Sequence, residues 1–176
     1  MIDNDVDAAY RNRVKENYGF SEWGGRTKVG DRDVRLTDFV LPTEEFKGWE
    51  LAEREDLPTS SRQQRVVRSI FTSSGKGRRI VATVFECNSV LEAHESLIDV
   101  VMTYMAPKLP RCESKGLELG DICFAGHSEI NVSVIFARFN ILAEIQSVGT
   151  EPVSVDEFAR RVDSRIYNQY ATNKGA

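Results

Sequence analysis

The alternation of apolar and polar residues divides the chain into helix-period and strand-period stretches. Near the start, Val6, Tyr10 and Val14 recur every four residues, a thin apolar stripe at helical spacing. Asp3 or Asn4 can cap this helix, and Gly19 can end it. The run "SEWGGRTKVGDRD" that follows is dense in glycine and aspartate and reads as a loop. Residues 1–30 are therefore expected to form an arm or peripheral helix outside the core.

Strand patterns begin near Val34. "VRLTDFVLP" predicts a first strand ended by Pro42. "KGWELAERE" predicts a second, with Trp49 and Leu51 on one face. After the polar link "LPTSSRQQ", the β-branched and aromatic runs "RVVRSIFTS" and "RRIVATVFEC" flank "SGKG", the signature of a hairpin. The period then lengthens. Ser89 and Glu92 have capping-box spacing, and Val90, Leu97, Val101 and Met105 share one helical face until Pro107 and Pro110 stop it. "EINVSVIFARF" places Ile130, Val132, Val134 and Phe136 on one face of a further strand, and "NILAEIQSV" does the same with Ile141, Ala143 and Ile145. These two join at Phe139-Asn140 in a second hairpin. Last, Ser154 and Glu157 suggest another capping box, Val153 and Phe158 a hydrophobic staple, and Phe158, Ala159, Val162, Ile166 and Tyr170 the buried stripe of a final helix.

Strands, helix, strands, helix is an α+β order. The expected architecture is an antiparallel sheet of about five to seven strands with two main helices packed on it, plus the peripheral N-terminal helix. The expected organisation is an arm over 1–30, one α+β domain over 31–171, and a frayed tail over 172–176.

Composition narrows the function. The chain has 176 residues, with 23 Lys and Arg against 27 Asp and Glu, for a net charge of −4. That balance argues against a nucleic-acid partner, which calls for a basic stripe. The local basic run "GKGRR" (75–79) fits a solvated turn, and it lacks the spacing of a phosphate loop. No apolar run approaches the roughly 20 residues of a membrane helix. Met1 is followed at once by acidic residues, so no leader is visible at the start. That fits a cytoplasmic chain, and equally an exported one whose leader has been removed.

The last third carries a resemblance. "LGDICFAG", "VSVIFARFNILAEIQSVG" and "SVDEFARRVDSRI" resemble a pattern of small exported bacterial domains and lipoproteins, and the whole is similar to the α/β sandwich of PsbP- and Mog1-type proteins. The matching positions are Gly120-Asp121, Phe136 to Asn140, and Phe158-Ala159-Arg160 with Asp163, within a resemblance that spans about 65–167. The pattern usually has glycine where this chain has Phe139. The resemblance implies a binding or assembly role and an extracytoplasmic address.

Candidate chemistry is sparse. His94 lacks a second histidine four residues on, because position 98 is Ile, so the zinc-protease helix pattern fails. Cys112, Asp121, Cys123, His127 and Glu129 crowd one stretch, yet their spacing fits no close-set ligand pair, and neither metal nor cofactor is expected. Cys123 with His127 and Asp121 could serve a small hydrolase or thiol enzyme, the alternative reading. The structural reading pairs Cys112 with Cys123 in a disulfide and leaves Cys87 as a buried thiol, with Cys87–Cys112 as the rival pairing. Tyr18, Phe20 and Trp23 have no evident core to join, and Phe139 falls at a hairpin tip. These four are the expected contacts to another protein. The leading expectation is thus a non-enzymatic extracytoplasmic domain that binds or assembles through protein–protein contacts, with a second copy of the chain an admissible partner.

Overall fold

The computed structural model of the chain describes residues 3–25, 48–73, 77–104 and 108–172. The predicted strand at 34–42 lies outside them, as do Met105, Pro107 and residues 173–176 of the expected tail. The fold is α+β. Helix α1 (Asp3–Tyr18) leads into a 3-10 turn at Phe20–Gly25. Strands β1 (Trp49–Asp56), β2 (Gln63–Ser73) and β3 (Arg79–Cys87) precede helix α2 (Val90–Thr103). Strands β4 (Ile122–Ala125), β5 (Ser133–Arg138) and β6 (Ile141–Ser147) precede helix α3 (Asp156–Thr172).

One six-stranded sheet runs in the order β1-β2-β3-β6-β5-β4, and every neighbouring pair is antiparallel. Two three-stranded meanders thus meet at β3 and β6. Helix α2 bridges them, because β3 ends at the seam and β4 starts at the far edge. Ser89 caps α2 by accepting the Glu92 N–H at 3.1 Å. The helix stops at Tyr104, whose backbone turns extended and whose N–H bonds back to Val101 O. At α3 the predicted box is not closed. Ser154 Oγ accepts the N–H of Asp156, while Glu157 pairs with Arg161 one turn on.

Strands β4, β5 and β6 are buried on both faces. One face meets α3: Val67, Phe71, Ile80, Val84, Cys123, Val134, Phe136, Ile141, Ala143 and Ile145 pack against Phe158, Val162, Ile166 and Tyr170. The opposite face meets α2 and the N-terminal arm: Ile122, Phe124, Ile135, Ala137 and Leu142 pack against Leu97, Ile98, Val101, Val14, Tyr18 and Trp23. This corrects the expectation of one-sided alternation in β5, where Val134, Ile135, Phe136 and Ala137 are all buried. Ile130, assigned above to that strand's inner face, lies outside it and is exposed. Strands covered on both sides read as continuous apolar runs rather than as alternation.

Among the described residues the two ends of the sheet differ. Beside β4, Arg111 bridges Phe124 and Pro110 O accepts the Ala125 N–H at 3.0 Å, so residues 110–111 cover that edge. Strand β1 carries Glu50, Glu53 and Arg54 and slips register between Leu51 and Glu53. Charges and a bulge protect an edge strand against pairing with another chain.

Candidate functional site

The residues singled out in the sequence fall mostly into the packing. Cys112 and Cys123 have Cα atoms 5.3 Å apart and sulfurs within disulfide-bonding distance, both fully buried, while Cys87 is a separate buried thiol. Burial pushes the Cys87 thiol up to about 11, so it stays protonated. Cys123 therefore offers no accessible nucleophile. Asp121 is engaged elsewhere: its carboxylate accepts the N–H of Phe139 at 3.0 Å, across the β5–β6 hairpin tip. His127 sits exposed beyond the end of β4. The structure does not assemble Cys123, His127 and Asp121 into a catalytic group.

The resemblance motif resolves into a structural corner. Gly120 is left-handed at φ 58°, and a Cβ there would lie 2.5 Å from Ala137 O. Asp163 of α3 accepts the Gly120 N–H at 3.1 Å and takes two N–H donors from Arg138, one of them Nη2 at 2.8 Å. Burial opposes the Arg138 charge, but the bonds to Asp163 outweigh it and raise its pKa. Asn140 Nδ2 donates to Cys87 O at 3.0 Å, and its Oδ1 accepts the Tyr170 hydroxyl. These polar groups tie the hairpin tip to α3 and to the end of β3.

The four aromatics expected as partner contacts are corrected by the same packing. Phe139, at φ 56°, is only 7% exposed and stacks on Tyr170 at 4.0 Å. Trp23 is 1% exposed, donates its indole N–H to Tyr18 O at 3.1 Å, and lies against Phe124 and His94. Tyr18 packs edge-on to Phe124 at 4.8 Å and accepts the Leu109 N–H at 2.9 Å. Phe20 is half-buried beside Trp23, with the Lys15 ammonium 4.6 Å from its ring. Trp23 and Phe139 lack the exposure that motivated a contact role, Phe20 is half-buried, and Tyr18 lines an open cleft beside α1. Tyr18, Phe20 and Trp23 had a core to join, the one they build over β4 and α2, whereas Phe139 joins the α3 face.

Docking the arm creates a feature that the sequence did not signal. Arg11 and Lys15 of α1 each reach Glu95 of α2 at 2.6 Å, and Arg11 also pairs with Asp99, which Arg62 shares. Burial works against the Glu95 charge, but the bonds from Arg11 and Lys15 more than offset it and lower its pKa. On the other flank of α1 a small open cleft remains. It has a volume of about 130 Å³ and is lined by Tyr10, Arg13, Val14, Asn17, Tyr18, Val101, Tyr104 and Lys108. Its inner wall is fixed by Tyr104, which leaves the end of α2 to reach the sheet. The Tyr104 hydroxyl donates to Glu144 Oε1 at 2.8 Å, accepts from Gln146 Nε2 at 2.8 Å, and lies 3.0 Å from Ser133 Oγ. Burial, with Glu144 beside it, pushes the Tyr104 phenol up to about 12, and burial also raises the Glu144 carboxyl.

This four-residue network crosses two strands and a helix end, so spacing along the chain could not reveal it. The one legible trace was the polar interruption by Glu144 and Gln146 of an otherwise apolar strand. Among the described residues no cluster of three or more His, Cys, Asp or Glu side chains could hold a metal ion. No described helix is long and apolar enough to cross a membrane. No protein-family model matches the chain, and neither a curated protein nor a solved structure does.

Proposed function

We propose that the protein is a non-enzymatic binding or assembly domain that works through protein–protein contact, and that the contact is made at the α1–α2 cleft. The supporting observation is the cleft's make-up. At about 130 Å³ it is well below the roughly 300–1,000 Å³ of small-molecule pockets. It has room for one protein side chain. Three tyrosines line it, two of them braced: Tyr18 by Leu109, and Tyr104 by Glu144 and Gln146. Braced aromatic walls with polar ends are what protein interfaces favour, because little side-chain entropy is lost on contact. An extracytoplasmic address belongs to the same reading. It is supported by the Cys112–Cys123 pair and matches the role implied by the PsbP- and Mog1-type resemblance.

A photo-crosslinking residue placed at position 10, on the cleft rim, tests this in the cells that make the protein. Discrete adducts from position 10 and none from position 160, on the exposed side of α3, are the expected result. Equal labelling from both positions, or none from either, would overturn the reading.

A further inference from the structure

We infer that the α1–α2 cleft receives an acidic side chain, aspartate or glutamate, from a partner polypeptide. The inference rests on the binding role proposed for this cleft and adds the chemistry of its occupant.

The basic residues around α1 fall into two groups. Arg11 and Lys15 lie toward α2 and are neutralised by Glu95 and Asp99. Arg13 and Lys108 both line the cleft, both are exposed, and neither has a carboxylate partner among the described residues. They come from different elements, one from α1 and one from the segment after α2, so no shared helical face explains their convergence. Acidic residues outnumber basic ones in this chain, 27 to 23. Two unpaired cations on one recess of about 130 Å³ therefore stand out against the background.

The remaining lining sharpens the fit. Val14 and Val101 are buried and give the cleft an apolar floor. Asn17 and Tyr10 add an amide and a hydroxyl donor at the rim. The Lys108 ammonium lies 5.8 Å from the Tyr18 ring, which holds it over the cleft without neutralising it. A carboxylate accepts hydrogen bonds only, and it would meet donors from Arg13, Lys108 and Asn17 while its methylene stem covered the two valines. The small volume disfavours a nucleotide or a larger cofactor. An acidic side chain presented by a polypeptide matches size, charge and donor pattern together.

The test is amide chemical-shift mapping with capped glutamate, capped glutamine and inorganic phosphate as probes. Capped glutamate is expected to shift Asn17, Tyr18 and Lys108, with capped glutamine leaving them in place. The variants Arg13→Gln and Lys108→Gln change exposed positions. Each is expected to weaken the glutamate response roughly two- to fivefold, and added salt to weaken it further. If glutamate and glutamine shift the same residues equally, the acidic preference is overturned while the cleft survives as a contact site. A stronger response to phosphate overturns the assignment to a carboxylate. No response at the cleft to any probe also overturns the inference, and leaves the crosslinking from position 10 to decide the broader reading.

Discussion

The two faces of the sheet are closed by different means. On one side a single helix, α3, lays an apolar stripe over the sheet, and a polar corner locks the β5–β6 hairpin beneath it. On the other side α2 covers part of the sheet, and an N-terminal arm some 80 residues earlier in sequence supplies Val14, Tyr18 and Trp23 to finish the job. The first face is covered by one helix, whose Phe158 reaches Trp49 and Phe71 across the sheet, and the second is finished by two elements from separate parts of the chain. Every feature proposed for function lies on the second. A face finished by a separately docked element keeps a seam, and the cleft is part of that seam.

The largest expected effect tests whether the arm is core or appendage. Trp23→Ala removes a fully buried indole that touches Phe124 and His94. It is expected to cost about 3–5 kcal/mol in urea unfolding. A cost within about 0.5 kcal/mol, typical of an exposed position, would return the arm to a peripheral role and remove the floor of the cleft.

Next is the polar corner on the α3 face. Asp163→Ala strands the Arg138 guanidinium in a mostly buried site, for about 3 kcal/mol. The double change Arg138→Met with Asp163→Leu is expected to recover most of that loss, because apolar replacement of a buried pair is often neutral. If the double variant is no better than the single, the corner holds the hairpin through geometry that only the ion pair supplies.

A smaller effect belongs to the sulfur pair. At a sequence separation of 11, a Cys112–Cys123 bond is expected to contribute about 2–3 kcal/mol by restricting the unfolded chain. In native protein, iodoacetamide should label neither cysteine of the pair until reductant and denaturant are added. Fast labelling of Cys123 without reductant would remove the support for an oxidising compartment.

The same contrast explains what could be read in advance. The β-branched and aromatic runs of β2 and β3, the alternation of Ile141, Ala143 and Ile145 in β6, the α3 stripe and the tight turn at Phe139-Asn140 are local signals, and they specified the α+β sheet with its helices. Gly120-Asp121, Arg138 and Asp163 were visible only as positions of a resemblance, because Asp163 meets Arg138 and Gly120 across 25 and 43 positions of the chain. Trp23 and Tyr18 were misread because their partners, Phe124, Leu109 and His94, lie 70 to 110 positions away in sequence. Phe139 looked exposed because a hairpin tip is normally solvated, and nothing near it in sequence announced Tyr170. The cleft was illegible for the same reason. Arg13 and Lys108 become neighbours only when α1 docks.

The finest test of the seam is its response to pH. His94 of α2 is 1% exposed, faces Trp23 at 5.8 Å, and its Nε2 has no hydrogen-bond partner among the described residues. Burial lowers its pKa below the usual 6.5, and the nearby charges of Asp121 and Glu95 only partly counter this. Histidine in the unfolded chain therefore takes up a proton at higher pH than His94 does in the fold. Below pH about 6.5 the unfolded state binds more protons, so this contribution is complete above that pH and declines as pH falls toward the folded value. The ion pairs of Arg11 and Lys15 with Glu95 should persist across this range, because those bonds hold the Glu95 carboxyl below the usual carboxylate value. Unfolding free energy measured from pH 7.5 down to 5 should thus fall more steeply for the native chain than for His94→Gln. Protection of the α1 amides against hydrogen exchange, taken relative to the intrinsic rate at each pH, should fall over the same interval only in the native chain. Identical pH slopes in the two proteins would mean that His94 is hydrated or otherwise compensated when charged. The arm–sheet seam would then be as insensitive to pH as the α3 face, whose packed stripe contains no histidine.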